Sequence, residues 1–149
     1  SIDTQNMKKL LSNFIIFFFL NSCSWDGNTH PVPNIPVNEN LFLNTPSAYP
    51  LQFVGGSISI PEWGYRGISV YRRTNYGDAN DFGVYDLCCP NHVEENCGIL
   101  ELKDNLYAEC PCDGQKFLLF DGQAMDGESS WGLFEYRVGY DGVSLHITN

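Results

Sequence analysis

Short apolar or alternating runs, separated by turn-forming residues, are the feature that most constrains the fold of this 149-residue chain. Gly, Asn, Asp and Pro interrupt the sequence so often that no stretch keeps a helical period for more than about two turns. Short runs bounded by such residues are typical of β-strands. The sequence therefore predicts an all-β fold.

Nine runs are predicted as strands, and they are Asn40 to Leu43, Ser57 to Ile60, Gly67 to Arg72, Phe82 to Leu87, Ile99 to Leu102, Leu106 to Glu109, Lys116 to Phe120, Leu133 to Val138 and Val143 to Thr148. Tight hairpins are predicted at Lys103-Asp104-Asn105 and at Tyr140-Asp141-Gly142. This number of short strands favours one antiparallel sandwich or small barrel. A chain of this length is too short for two comfortable domains.

The N-terminal region has the order of an export signal. Lys8 and Lys9 precede an apolar run from Phe14 to Leu20, which is too short to span a bilayer, where about 20 residues are needed. The Leu-Asn-Ser-Cys sequence that ends at Cys23 resembles the lipobox of bacterial lipoproteins. That resemblance implies that Cys23 carries a lipid and anchors an exported protein to a membrane facing the periplasm or the cell surface. A plain secretory signal with a structural Cys23 is the alternative.

Composition changes after Cys23. Residues 24–36 contain Pro31, Pro33 and Pro36 and hardly any apolar residue, which predicts an extended tether, with an ordered N-terminal arm as the alternative. We therefore expect a leader at residues 1–22, a lipidated cysteine and tether at residues 23–36, and a β domain at residues 37–149.

The charge of the chain argues against nucleic acid as a partner. Acidic residues outnumber basic ones by 18 to 8, and the acidic residues are spread along the sequence. A phosphate-binding surface needs several Lys and Arg side chains on one face. Few basic residues remain once the leader is set aside, and no cluster of them is apparent.

The cysteines carry the most distinctive chemistry. Cys23 is one of six; the other five are Cys88, Cys89, Cys97, Cys110 and Cys112. Thiols of exported proteins tend to pair, and an odd number leaves at least one thiol free or bound to something. The five cysteines after Cys23 lie in two loops. Each loop follows a predicted strand, and a predicted hairpin joins the two loops. This is the layout of a two-loop metal site.

The second loop matches a known motif at Cys110, Pro111, Cys112, Gly114 and Phe117. With these residues the chain resembles the Rieske [2Fe-2S] family, whose two cluster loops read C-x-H and C-x-x-H, the second inside C-P-C-H-G-S-x-F. The likeness continues through Asp121-Gly122 and the last hairpin and covers roughly the whole β domain. Within the family, the chain resembles small bacterial lipoproteins with degenerate cluster loops.

The resemblance implies specific ligand positions. Cys89 and Cys110 occupy the two thiolate positions, but Asn91 and Asp113 stand where the family has its two histidines. A Rieske cluster needs those imidazoles on its second iron, so a conventional cluster is not expected. His92, one residue late, and Asp113 are the candidates that would support Cys89 and Cys110 as metal ligands.

The family resemblance also implies a disulfide between Cys97 and Cys112, which occupy the positions of a bond that joins the two loops in some Rieske proteins. Three arrangements of the cysteines stay open. In the first, Cys89 and Cys110 form a second disulfide and Cys88 is left over; in the second, Cys89 and Cys110 bind an iron–sulfur cluster or a metal ion. In the third, the Cys97–Cys112 disulfide is absent, and Cys89, Cys97, Cys110 and Cys112 form a four-thiolate zinc or iron site.

Our leading hypothesis from the sequence is a disulfide-linked, non-enzymatic scaffold or binding module without a cofactor, anchored to a membrane and directed at an unidentified protein partner. The alternative is an electron-transfer protein with a [2Fe-2S] cluster or another metal at Cys89 and Cys110. No catalytic residues are predicted, because the three histidines lie in unrelated parts of the sequence.

Overall fold

The computed structural model describes residues 29–149. The predicted leader, Cys23 and the first part of the predicted tether lie outside the described residues. Within them the chain is built mainly from antiparallel strands, so the all-β prediction is confirmed. No helix in this part of the chain is long and apolar enough to cross a membrane.

Residues 29–149 contain nine strands, and their bounds are β1 Asn38–Phe42, β2 Ser57–Ile60, β3 Ile68–Arg72, β4 Phe82–Asp86, β5 Glu101–Lys103, β6 Tyr107–Glu109, β7 Lys116–Leu118, β8 Arg137–Tyr140 and β9 Ser144–Thr148. Short 3-10 helices lie at Pro46–Gln52 and Ala79–Asp81. The strands form three sheets of three, in the orders β1-β9-β8, β2-β3-β4 and β5-β6-β7.

The β2-β3-β4 sheet lies between the other two, which explains why every residue of β3 and β4 is buried. Successive side chains of a strand point to opposite faces. Ile68 and Val84 accordingly join a core with Leu145 and Ile147 of β9. Tyr85, on the opposite face, joins a second core, with the apolar residues of the β5-β6-β7 sheet. The second core also contains two of the loop cysteines.

Eight of the nine predicted strands differ in their bounds, most of them by one or two residues, and two of these differences have a clear cause. The run from Leu133 to Val138 enters β8 only at Arg137, because its first part bonds to β4 instead: Tyr136 N–H donates to Val84 O at 2.8 Å. The run from Ile99 to Leu102 enters β5 at Glu101, because the residues before it pair with the start of the first cysteine loop, through a bridge between Cys88 and Ile99.

Part of the predicted tether packs against the domain. Val32 is buried, and His30 Nε2 lies 2.8 Å from Gly132 O. The His30 ring also contacts the edges of Trp131 and Phe134. For residues 30–36 the structure therefore shows the ordered arm that the sequence left open as an alternative.

A buried carboxylate organises the loop between β3 and β4. Asp81 accepts hydrogen bonds from Thr74 Oγ1 at 2.6 Å, Tyr76 N–H at 2.8 Å and Gly77 N–H at 2.7 Å. Burial alone would raise the pKa of Asp81, but these hydrogen bonds outweigh it and lower the pKa to about 2. The charged form of Asp81 therefore stabilises the folded state.

We expect Asp81→Asn to lower the free energy of unfolding by about 2 kcal/mol at neutral pH. Because the folded-state pKa lies below the ordinary value of 3.8, the contribution of Asp81 is full above about pH 4 and is lost as the pH falls towards 2. Urea unfolding at several pH values measures both effects. Asp104→Asn, at an exposed turn, is the matched control and should leave stability unchanged. Equal stability of the two variants at pH 7 would contradict this role.

Candidate metal centre

The two cysteine loops lie side by side at one end of the second core. The first cysteine loop, residues 88–98, follows β4, and the second, residues 110–115, follows β6. The hairpin of β5 and β6 joins them, as the sequence predicts. Its turn at Asp104 and Asn105 has positive φ angles of 56° and 50°, the conformation that a tight hairpin favours.

Asp86 fixes the start of the first cysteine loop. Its buried carboxylate accepts hydrogen bonds from Cys88 N–H at 3.0 Å and from Tyr136 Oη at 2.7 Å, and also from the N–H groups of Tyr65 and Arg66. Burial raises the pKa of Asp86, and these hydrogen bonds oppose the rise. The carboxylate thus ties the residue before Cys89 to two other parts of the chain.

Backbone hydrogen bonds shape both loops around their cysteines. Cys89 N–H donates to Gly98 O at 2.8 Å, which closes the first cysteine loop. Cys110 N–H donates to Gln115 O and Gly114 N–H donates to Cys110 O, each at 2.8 Å, which closes the second. Gly114 has a φ of 76°, a conformation that glycine adopts without strain.

Cys89 and Cys110 meet in the second core. Both side chains are fully buried, and both are free thiols. Their sulfurs and a carboxylate oxygen of Asp113 all lie within 4.8 Å of one another. The structure therefore brings together three of the four candidate ligands, and the second disulfide that the sequence left open is not formed in it.

The protonation of these groups follows from their surroundings. Burial raises the pKa of Cys89, and it raises the pKa of Cys110 to about 12. Both thiols are therefore protonated at neutral pH, and neither is an activated nucleophile. Burial opposes ionisation of Asp113 too, but hydrogen bonds from Gln115 N–H, His92 and Cys110 lower its pKa. Asp113 is thus a carboxylate beside two neutral thiols.

His92, the fourth candidate, lies on the outer side of Asp113. Its Nε2 is 2.9 Å from Asp113 Oδ2, and its Nδ1 is 2.9 Å from Glu95 Oε1. Hydrogen bonds to Glu95 and then to Asp113 raise the pKa of His92. Glu95 was not among the predicted site residues. The spacing of three residues from His92 is the one signal in the sequence that could have suggested it.

Asn91, at the position where the family resemblance would place a histidine, is exposed, and its Oδ1 accepts a hydrogen bond from Ser129 Oγ at 3.4 Å. The side chain of Asn91 is thus paired with Ser129, whereas its backbone N–H lies against the Cys89 sulfur.

Cys97 and Cys112 form a disulfide, as the family resemblance implies, and their Cα atoms are 5.1 Å apart. This bond joins the two cysteine loops outside the buried thiols. Cys88 is the remaining free cysteine among the described residues. Burial raises its pKa to about 12, and its Sγ lies 3.7 Å from Cys89 O.

Comparisons with protein-family models, curated proteins and solved structures found no match for this chain. The geometry of the two cysteine loops is therefore the main indication of what the protein does.

Proposed function

We propose that this protein binds a transition metal or an iron–sulfur cluster through Cys89 and Cys110 and acts as an electron-transfer component. The observation that carries the proposal is the meeting of two free, buried thiols with the Asp113 carboxylate, all within 4.8 Å. Two ligands of one ion with metal–sulfur bonds of about 2.3 Å lie roughly 4 Å apart, so modest movements would complete such a site. The Cys110 thiol donates a hydrogen bond to the Asp113 carboxylate and also contacts the Cys89 thiol, so the three side chains already meet at one point where a metal could replace the thiol protons.

The donor set limits which group fits. A cluster with two cysteine and two histidine ligands does not fit, because His92 is the one histidine in the two cysteine loops and its ring is not in the group formed by Cys89, Cys110 and Asp113. Two thiolates with one carboxylate do fit a site that holds iron or zinc by sulfur and oxygen. Bound iron would supply one-electron redox chemistry. The chain itself would bind the metal, exclude water from the sulfurs of Cys89 and Cys110, and keep a negative charge at Asp113.

The protein's place in the cell and its family are part of the same proposal. The lipobox-like sequence supports a lipid anchor at Cys23, and the two-loop arrangement with its Cys97–Cys112 bond supports a Rieske-like domain. Neither feature requires an enzyme. The domain would act outside the cytoplasm on a membrane surface.

Cys23→Ala is expected to move most of the protein from the membrane fraction to the soluble fraction, because the lipid is attached to that thiol. Immunoblots of fractionated host cells measure the distribution. Ser22→Ala keeps a small residue before Cys23 and serves as the control. Retention of the Cys23→Ala protein in the membrane would contradict the anchor.

A second candidate function is a disulfide-linked scaffold that binds a protein partner and holds no metal. The Cys97–Cys112 bond favours it, because that bond joins the two loops whether or not a metal is bound. In that case Cys89 and Cys110 would be structural residues of the second core.

Metal analysis separates the two candidates. The protein should be purified from its own host without chelators, and iron, zinc and acid-labile sulfide measured per chain. The proposal predicts bound metal in a fixed ratio to protein, with sulfide and visible absorption if the group is a cluster. Colourless, metal-free protein that also fails to take up iron or zinc after anaerobic treatment would contradict it and support the scaffold.

A further inference from the structure

A second group of metal-binding side chains lies on the outer face of the cysteine loops. Ligand atoms of His92, Glu95 and Cys112 all lie within 4.8 Å of one another. Cys97, bonded to Cys112, has its Sγ 3.6 Å from Glu95 Oε2. One imidazole nitrogen, one carboxylate oxygen and two sulfurs therefore converge at the surface, whereas Cys89 and Cys110 are buried in the core.

The disulfide keeps these sulfurs from acting as thiolates. A dithiol reductant would change that: it transfers two electrons and two protons to the Cys97–Cys112 bond, is itself oxidised to a disulfide, and leaves two free thiols. Binding of a divalent ion then displaces the two thiol protons to solvent and forms two metal–sulfur bonds. The overall change needs no other reactant.

We propose that the reduced protein binds a divalent ion of the zinc class through His92, Glu95, Cys97 and Cys112, and that the oxidised protein does not. These are four ligands of the types that zinc prefers, and four is its usual coordination number in structural sites. The site differs from the four-thiolate arrangement considered from the sequence, because it uses the outer cysteines alone. It does not depend on a metal at Cys89 and Cys110.

The imidazole of His92 is already oriented for this role. Its Nδ1 faces the Glu95 carboxylate, and its Nε2 is 2.9 Å from Asp113 Oδ2. Metal-bound histidines commonly donate their other ring N–H to a carboxylate, which fixes the ring and strengthens the ligand. Asp113 is therefore a positioning residue for His92 in the outer site.

The loop that carries His92 and Glu95 is held independently of the disulfide. The Arg66 guanidinium donates hydrogen bonds to Glu95 O and Val93 O, each at 2.7 Å. Gly98 N–H donates to Glu95 O at 3.0 Å. None of these hydrogen bonds involves the disulfide, so we expect His92 and Glu95 to keep their positions when it is reduced. The Cα atoms of Cys97 and Cys112, 5.1 Å apart, are already close enough to place both thiolates on one ion.

Cobalt(II) is a suitable probe, because tetrahedral thiolate complexes of this ion absorb strongly and zinc displaces it. The Cys89→Ala/Cys110→Ala variant removes the inner thiols, and circular dichroism verifies that it is folded. After anaerobic reduction and removal of the reductant, we expect one cobalt ion per chain with a thiolate-to-cobalt band. The oxidised variant should show no such band. Equal binding before and after reduction would overturn the proposal.

Four further variants in the same background test two sets of ligands, the positioning residue Asp113 and a control. Cys97→Ala/Cys112→Ala should eliminate the thiolate band. Glu95→Gln and Asp113→Asn should each weaken cobalt binding by about 10- to 100-fold or more, whereas Glu94→Gln, at the neighbouring exposed residue, should not. Full affinity in Glu95→Gln would overturn the assignment. If the double alanine background fails to fold, the wild-type protein must take up one more cobalt ion when reduced than when oxidised.

Discussion

Replacing Cys89 by alanine is expected to eliminate metal binding at the inner site, which consists of Cys89, Cys110 and Asp113. Replacing Cys88 by alanine is expected to preserve it. The two cysteines are neighbours, both are buried and both are free thiols. Only Cys89 has its sulfur in the group with Cys110 and Asp113. Loss of a group that merely orients a ligand costs about 10- to 100-fold in metal affinity. Loss of a thiolate ligand should reduce the metal affinity by a larger factor.

The pair of variants controls for damage to the core. Each substitution removes one sulfur from a fully buried position, so both should destabilise the fold by a similar, small amount. Metal content per folded chain, measured after purification from the native host, is the deciding quantity. Cys110→Ala should behave like Cys89→Ala. Equal metal content in the Cys88→Ala and Cys89→Ala proteins would show that Cys89 is not a ligand.

Among the substitutions proposed for this protein, removal of the Cys97–Cys112 disulfide is expected to lower the free energy of unfolding most. The bond closes a loop with a sequence separation of 15 residues. A crosslink over a loop of that size stabilises a folded protein by about 3 kcal/mol, mainly because it restricts the unfolded chain. For a domain of this size such a change lowers the Tm by roughly 12 °C. Thermal unfolding of Cys97→Ala/Cys112→Ala measures it.

The reductant provides a matched control for this prediction. A dithiol reductant should lower the Tm of the wild-type protein by a similar amount and leave the Tm of the Cys97→Ala/Cys112→Ala variant unchanged, when both are measured without added metal. Zinc should stabilise the reduced wild-type protein more than the Cys97→Ala/Cys112→Ala variant, since binding to the folded state stabilises it and only the reduced wild-type protein offers the Cys97 and Cys112 thiols as additional ligands. A double variant with the wild-type Tm would contradict the stabilising role of the bond.

Much of the fold could be predicted because strand and turn signals act locally. The strand at Ser57–Ile60 has the predicted bounds, and the hairpins at Asp104-Asn105 and Asp141-Gly142 form where turn residues occur. The 3-10 helix at Pro46–Gln52 was not predicted, since its residues have no helical period to recognise. The early residues of the predicted eighth strand bond to β4, a long-range contact that no local pattern reveals.

In the candidate site, too, some features could be predicted from the sequence and others depend on contacts that the sequence does not reveal. The spacing of the cysteines and the family resemblance were enough to predict that the loops of Cys89 and Cys110 lie together and that Cys97 pairs with Cys112. The position of His92 could not be predicted, because it depends on the irregular turn between Cys89 and Gly98 and on the anchoring of that turn by Arg66. For the same reason Glu95 was missed.

Two buried thiols belong both to the core that stabilises the fold and to the proposed metal site. Cys89 and Cys110 lie in the same core as Tyr85 and Phe117, so the sheets that stabilise the fold also position the sulfurs. His92, Glu95 and Asp113 lie in the same two loops but outside that core. A metal bound by Cys89 and Cys110 would therefore lie at the boundary between the second core and the loops.

The most direct test of the central claim is a crystal structure of the native-host protein with anomalous diffraction data collected at the edge of the metal that it contains. Our account predicts an anomalous peak at bonding distance, about 2.3 Å, from the sulfurs of both Cys89 and Cys110. Continuous density for a disulfide between these two sulfurs, with no anomalous peak beside them, would contradict it.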